Sequence, residues 1–539
     1  MGILPRFFAF CFFALLLAAF VQCARRGTPS GGPKDEDPPV LIKSEPDTMS
    51  TNFTAKKIRL YFDELIRLND IQNQLIVSPP LKYQPEVSPQ GGTAKYVEVV
   101  LKDTLQDSTT YTLNFGESIE DNNEGNPSSF LTYVFSTGDY IDSLQINGIV
   151  GDAFNKDADE FISVMLYDID TAYTDSTVFK KLPNYITNTL DSTIVFQLRN
   201  LKEGRYALIA IKDKNRNNLF DQDTDKIAFL EEPIDIPTDS SFRLTLFQEI
   251  PNFSMANPSY AASNKIIFGY RGLPDSMQIS PLSQIPDTIK TTISREFDKD
   301  TLNFWFTPFE VDSLVFEVKN TAFGQIDTFT VKTRKLAADS LVISSSHRSK
   351  INFEDQFYIR SNIPITNVDT STITILNQDS VKVGFGTELK LSENRIDINF
   401  EKEPNSTYFM SVLPGFLTDF FEQTNDTILY RLSTESFADL GNLRLNLEGV
   451  IAYPIILQLT DEKGETKREI IAEGPRSFEF NNIEPGIYLI RLIIDSNANK
   501  IWDTGNYLEK RQPEKVMYYP QTIEVRANWE LEQTFTIGG

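Results

Sequence analysis

The chain has 539 residues, of which 40% are hydrophobic. That is room for about three to five domains of ordinary size and enough apolar material to exclude wholesale disorder. Aspartate and glutamate number 75 against 51 lysine and arginine, a formal net charge of −24, which repels phosphate backbones and argues against nucleic acid as a partner.

Residues 1–22 read as a targeting segment. Arg6 supplies the positive start, and Phe7 to Phe20 form an almost unbroken apolar run. It has the length of a secretory hydrophobic region and falls short of the ~20 apolar residues of a membrane span. There follow Phe20-Val21-Gln22-Cys23 and then Ala24-Arg25-Arg26-Gly27-Thr28-Pro29-Ser30-Gly31-Gly32. An apolar segment ending in a cysteine before a Gly/Ser/Pro tether resembles a bacterial lipoprotein signal, whose cysteine is diacylated and becomes the new N-terminus. Phe20 and Gln22 depart from the commonest residues of that signal, Leu at the first position and Gly, Ala or Ser at the second. The chain's two cysteines are Cys11 and Cys23. Cys11 would leave with the signal, so the mature chain would carry one thiol, at its first position. The alternative is an ordinary signal peptide with an incidental Cys23. Cleavage removes only Arg6 among charged residues, so the net charge moves from −24 to −25.

Residues 23–38 form a lipidated flexible tether. Beyond it, short aromatic and β-branched runs alternate with Asp/Asn/Ser/Gly/Pro turns every 8 to 12 residues or so, the spacing of β-sandwiches. Twenty Tyr and forty Phe against three Trp, with dense Thr, Ile and Val, favour the same all-β class of tandem sandwich modules. The expected helical content is single turns at 71–75 or 417–422. Residues 39–138 form a first module, with strands expected at 57–62, 96–101, 110–115 and 131–136. Its segments "PPVLIKSEPDTMSTNF", "KIRLYFDELI", "DSTTYTLNF" and "YVFSTG" resemble the bacterial Ig-like domain first described in S-layer proteins. With the tether Cys23 to Asp35 they also resemble a group of Bacteroidota envelope lipoproteins carrying that domain. The resemblance implies an envelope lipoprotein without assigned chemistry.

Internal repeats organise the remainder. Asp107-Ser108-Thr109-Thr110-Tyr111 and Pro404-Asn405-Ser406-Thr407-Tyr408 align at an offset of 297, which also places Tyr133 on Tyr430, Ser136 on Ser433 and Thr137 on Thr434. A second Ig-like domain is therefore expected at 341–437. At an offset of 282, Phe196, Asn200, Gly204, Tyr206, Asp213, Asn215, Asn217 and Asp221 fall on Phe478, Asn482, Gly486, Tyr488, Asp495, Asn497, Asn499 and Asp503. These two modules, 139–250 and 438–539, resemble prealbumin-type sandwiches such as carboxypeptidase regulatory-like domains. Residues 251–340, with strands expected at 301–306 and 313–318, form a β-sandwich of unassigned type.

Chemistry is sparsely supplied. His347 is the sole histidine, expected in an exposed loop, and a Ser-His-Asp machine would need it as base. Zinc lacks His and Cys ligands. The acidic loop Asp213-x-Asn215-x-Asn217-x-x-x-Asp221, repeated as Asp495-x-Asn497-x-Asn499-x-x-x-Asp503, has oxygen side chains at positions 1, 3, 5 and 9 of a calcium loop. Position 6 is Asn218 or Lys500 rather than Gly, and position 12 is Thr224 or Asn506 rather than Glu. Asp223 and Asp225 are extra acids of the first copy, with no equivalents expected in the second. Calcium binding stands beside a metal-free network of Asx turns as the reading of these loops. Asp followed by Ser or Thr and then an apolar residue recurs at Asp142, Asp287, Asp312, Asp339 and Asp426. It resembles the O-glycosylation signal of Bacteroidota envelope proteins, and it equally reads as a turn leading into a strand.

The leading expectation is thus a non-enzymatic, lipid-anchored outer-membrane scaffold that binds another envelope protein or a glycan. An accessory subunit of an outer-membrane secretion, assembly or uptake complex is the second reading. A carboxylate-dependent hydrolase is the third. The adhesin-like modules favour the cell surface over the periplasmic face, although Arg25 and Arg26 precede the acids Asp35-Glu36-Asp37.

Overall fold

The computed structural model describes residues 35–538 apart from 190–193, 275–276, 298, 323 and 450–451. Cys23 and the targeting segment lie outside the described residues. The chain divides into two compact units, Met1–Ser143 and Leu144–Gly539. Both are built almost wholly of strands.

In the first unit, Lys57–Leu68 shows how pattern becomes sheet. Ile58, Leu60 and Phe62 are buried and alternate with polar neighbours, the period of a strand with one wet face. Ile66, four residues beyond Phe62, is buried on the same face, past a register shift between Tyr61 and Ile66. This strand pairs with Leu41–Glu45 on one side and Ala94–Val100 on the other, with Glu86–Ser88 outermost. The facing sheet is Ile76–Ser78, Thr110–Asn114 and Thr132–Ser136. Tyr111, Leu113, Phe115, Tyr133 and Phe135 fill the space between. The expected turn at 71–75 is a helix over Ile71–Gln74.

Among the described residues, four hydrophobic cores follow one another along the second unit. The first and last share an arrangement. Leu144–Asp152 pairs in parallel with Ser241–Gln248, and 441–449 pairs in parallel with 530–537. The second core lies between a sheet centred on Lys265–Arg271 and Thr301–Phe306 and a three-stranded sheet centred on Ser313–Asn320. The third repeats the strand order of the first unit. Ile343–Ser345, Phe357–Ser361, Arg395–Phe400 and Phe385–Lys390 make one sheet, facing Ile373–Leu376, Thr407–Val412 and Ile428–Ser433. The alternative helical turn at 417–422 is not formed. Leu417–Asp419 is a strand paired with Ile365–Val368, and Asp419 Oδ1 accepts the N–H groups of Phe421 and Gln423, folding the chain back after it.

The 297-residue repeat is reproduced bond for bond. The Tyr111 hydroxyl accepts the Gln106 N–H at 2.9 Å, and the Tyr408 hydroxyl accepts the Glu403 N–H at 2.6 Å. Thr137 Oγ1 donates to the Gln106 carbonyl, and Thr434 Oγ1 to that of Glu403. Both tyrosines are buried, and each hydroxyl ties an exposed neighbouring turn to the core by accepting its N–H.

Contacts within the second unit close on themselves. Arg271 pairs with Asp223 between its first and second cores. Trp305 packs edge-on to Phe421 (6.1 Å) between second and third. Lys350 bridges to Glu484 (3.1 Å) between third and fourth. Fourth and first meet through the insertion described below.

Tyr111→Phe and Tyr408→Phe are each expected to cost about 1 kcal/mol, the net worth of a hydrogen bond whose donor, on exposed Gln106 or Glu403, can turn to water. Tyr140→Phe, at a side chain 56% exposed, should stay within about 0.5 kcal/mol. Urea unfolding midpoints of the three variants check the ranking.

Candidate functional site

The repeated acidic loop follows the strand Gly204–Lys212 in one copy and Gly486–Ile494 in the other. Asp213 accepts the N–H groups of Arg216 and Asn218, each at 2.6 Å. Asn217 Oδ1 accepts the Leu219 N–H, and Asn215 Nδ2 donates to Asp221 at 3.2 Å. In the second copy, Asp495 accepts from Asn499 and Lys500, Asn499 Oδ1 from Ile501, and Asn497 Nδ2 donates to Asp503 at 2.6 Å. Left-handed backbone at Arg216 and Asn218 recurs at Ala498 and Lys500, which aims neighbouring N–H groups at one carboxylate. Such φ values cost free energy on non-glycine residues, and the charge-assisted bonds to Asp213 and Asp495 offset it. Burial pushes the Asp213 carboxyl up, against the pull of those N–H groups and with Asp225 adding to the rise.

A second carboxylate braces each loop. Asp225, fully buried, accepts the Lys214 N–H at 3.0 Å and the Asp221 N–H at 2.9 Å. The equivalent donors in the other copy are Ser496 and Asp503, and both are held by Glu514. The expectation that the second loop has no counterpart to Asp225 is thus corrected. The bracing acid sits 11 residues beyond Asp503 instead of 4 beyond Asp221, and so falls out of the repeat register. Among the described residues, no three His, Cys, Asp or Glu side chains are grouped to hold a metal ion. The oxygens that a cation would need are turned onto the loop's own donors.

The residues that displace Glu514 form an insertion that enters the first repeat copy. Tyr507 is fully buried there. Its ring lies 5.3 Å from Phe229 and 6.4 Å from Phe179, and its hydroxyl 3.3 Å from that of Tyr173. Glu249, itself 2% exposed, accepts the Tyr507 N–H. Thr504 Oγ1 donates to the Gln248 carbonyl at 2.6 Å, and Lys510 pairs with Asp175 at 2.6 Å. Gly505 admits this approach. A Cβ there would stand 2.6 Å from the Phe247 ring and 2.7 Å from the Arg511 carbonyl. Nearby, Phe154 packs on Trp502 at 4.7 Å and under the Arg491 guanidinium at 4.0 Å. None of these partners was singled out in the sequence. The available signal was the break in repeat register after Asp503, with an aromatic residue inside it.

His347 is half-buried rather than exposed. Its Nδ1 lies 2.9 Å from Ser346 Oγ and its Nε2 3.2 Å from Asp355 Oδ2. The three residue types of a triad therefore meet, but Ser346 Oγ donates to the Gln356 carbonyl and accepts the Tyr358 N–H. That hydroxyl ties two backbone segments together. A hydrolase using carboxylates needs two of them with split acidity. Glu296 and Glu393 line one cleft, yet Glu296 pairs with Lys299 and Glu393 with Arg395 at 2.8 Å. Burial pushes the Glu296 carboxyl up, the Lys299 ammonium outweighs it, and the group lies below the usual range, the reverse of a general acid's need. In the Asp-Ser/Thr motifs, the side chains of Ser143, Thr288, Ser340 and Thr427 are exposed, and Ser313 is half-buried within a strand.

The bacterial Ig-like domain family matches residues 35–137. No curated protein matches the chain. Among solved structures, the S-layer protein rSbsC is 12% identical, over 90% of this chain and 66% of its own length, with a TM-score of 0.15. The major pilin subunit BcpA of Bacillus cereus is 10% identical over 73% of this chain and 99% of its own, TM-score 0.14. The I9–I11 tandem of titin is 10% identical over 52% and 100%, TM-score 0.12. The chain therefore spans just under two thirds of the S-layer protein, and overlaps this weak carry no inference about role.

Asp225→Ala is expected to destabilise by about 3 kcal/mol, because two donors lose a buried, charged acceptor. Glu514→Ala should cost about 1–2 kcal/mol, since Glu514 is half-buried where Asp225 is fully buried, and water can take its place. Thermal melts of both variants test this order. For the wild type, melts in millimolar calcium and in EDTA should coincide within about 1 °C. Saturation of a site would raise the calcium curve by several kcal/mol of linked stability.

Proposed function

We propose that the chain is a non-catalytic, lipid-anchored scaffold of the outer membrane that presents a pre-shaped body to another envelope component. The observation that carries this reading is the closed circuit of contacts in the second unit. Four cores are tied in chain order, and the last is sewn back to the first by the buried Tyr507. A chain meant only to extend would gain nothing from such closure. A rigid binding body gains affinity, because order lost on association has already been surrendered on folding.

The anchor half of the proposal is supported by the sequence. The apolar run, Cys23 and the Gly/Ser/Pro tether lead directly into an Ig-like module. The non-catalytic half is supported by how the reactive groups are used. The sole histidine bridges Ser346 and Asp355, and the loop carboxylates cap backbone. Among the described residues no helix is long and apolar enough to cross a membrane. Attachment is assigned to lipid on Cys23 from the sequence pattern alone, and the cell surface is the face we favour.

Cys23→Ser should abolish incorporation of labelled palmitate and move the protein out of the membrane fraction. Unchanged labelling and fractionation would sink the anchor. Tyr507→Ala should cost about 3–5 kcal/mol, as for other large buried aromatics, and increase the radius of gyration in small-angle scattering. An unchanged radius would remove the case for a body held shut by this contact.

A further inference from the structure

Between the second and third cores of the second unit lies an open cleft of about 240 Å³ whose lining includes Arg295, Phe297, Asn303, Arg360 and Asn394. Two features of it are unfinished. The Arg360 side chain is only 11% exposed, yet its Nε and Nη2 have no hydrogen-bond partner. The nearest carboxylate oxygen, on Glu393, is 3.7 Å away and already given to Arg395 at 2.8 Å. Asn303 is 3% exposed, and its Oδ1 likewise has no donor. Buried guanidinium and amide groups are normally paired, because leaving them bare costs the whole desolvation penalty.

Three other charges of the lining are paired. Lys265 pairs with Asp339, Glu296 with Lys299 and Glu393 with Arg395. Among the described residues, Arg295 has no ion pair and Arg360 has only the long contact. Two guanidinium groups thus face one cleft in a chain of net charge −24. The Arg360 guanidinium carbon sits 3.3 Å from the centroid of the Phe297 ring, which holds it flat, while Phe297 remains 48% exposed. Nε with Nη2 is an edge geometrically matched to the two oxygens of a carboxylate. An orphaned amide oxygen accepts a hydroxyl. An exposed aromatic ring takes the C–H face of a sugar.

We propose that this cleft binds an acidic monosaccharide unit, a hexuronate of an envelope or environmental glycan. In the structure these Arg360 and Asn303 atoms are closed off from solvent beneath the exposed Phe297 ring, and the ligand reaches them as that ring swings off the guanidinium. Its carboxylate then lies on Arg360, a ring hydroxyl donates to Asn303 Oδ1, and its apolar face rests against Phe297. One pyranose ring supplies all three complements within the available volume. A peptide aspartate or glutamate brings the carboxylate alone. The proposal rests on reading the chain as a binding scaffold and is independent of its anchor.

The test is calorimetric titration of the full chain in detergent with D-galacturonate, D-galactose and N-acetylaspartate, a design that does not depend on lipidation of Cys23. Galacturonate should bind in the millimolar range, at least about 10-fold more tightly than either control. Arg360→Gln should weaken it about 10-fold or more. Phe297→Ala, at an exposed position that spares the fold if Arg360→Gln does not, should weaken it about 3- to 10-fold. Arg59→Gln, in the first unit, should leave it unchanged. Equal affinity for galactose or N-acetylaspartate, or galacturonate binding indifferent to both cleft variants, would overturn the proposal.

Discussion

The insertion of Tyr507 into the first repeat copy is the contact on which the second unit depends. A phenol ring buried among Phe179, Phe229 and Tyr173 is worth several kcal/mol. The exposed ion pairs elsewhere in the circuit, such as Lys290 with Glu422, are worth little. The backbone around the ring is satisfied as well, with the Tyr507 N–H given to the buried Glu249. Burial pushes the Glu249 carboxyl up, while the N–H and Gln222 pull it back. The junction therefore tolerates a charge only because donors meet it.

That economy runs through the protein. A chain with 75 acidic residues could be read as a source of metal ligands or catalytic carboxylates. Several of its less exposed acids are instead caps on turning backbone: Asp121, Asp213, Asp419 and Asp495 each accept two or more main-chain N–H groups. Their shifts follow from the balance in each place. Burial works against the N–H bonds at both Asp121 and Asp419, and the bonds leave Asp121 below the ordinary range while burial leaves Asp419 above it. The same residue type thus shapes turns at the surface and at depth. Arg360 is an exception of the opposite sign, a cation left short of a partner beside the paired Lys265, Glu296 and Glu393 of its cleft.

Duplication followed by local divergence explains how two copies of one loop came to differ in role. Both keep the Asp/Asn network and the left-handed backbone. In the first copy the loop is braced by an acid four residues on. In the second, the brace was moved outward to Glu514, and the intervening residues became the arm that holds the copies together.

Local chemistry determined much of what is seen. Alternation in 57–62 and 313–318 and the dense turn residues dictate strands, because a period of two buries one face of a sheet. The repeat offsets of 297 and 282 dictate paired modules, since equal spacing of buried aromatics, glycines and capping acids demands equal folds. The Asx spacing dictated the loop's shape, because those bonds reach only two to six residues. What tertiary structure alone decided were the contacts between residues hundreds of positions apart. Glu514 replaces Asp225 because a carboxylate is recognised by where its oxygens arrive, not by its place in the chain. Tyr507 is a core residue of a module that begins at Leu144. The half-burial of His347 and the orphaned edge of Arg360 likewise depend on which strands pack beside them. Burial and unmet hydrogen bonds are properties of an enclosed volume, and no single segment of sequence encloses one.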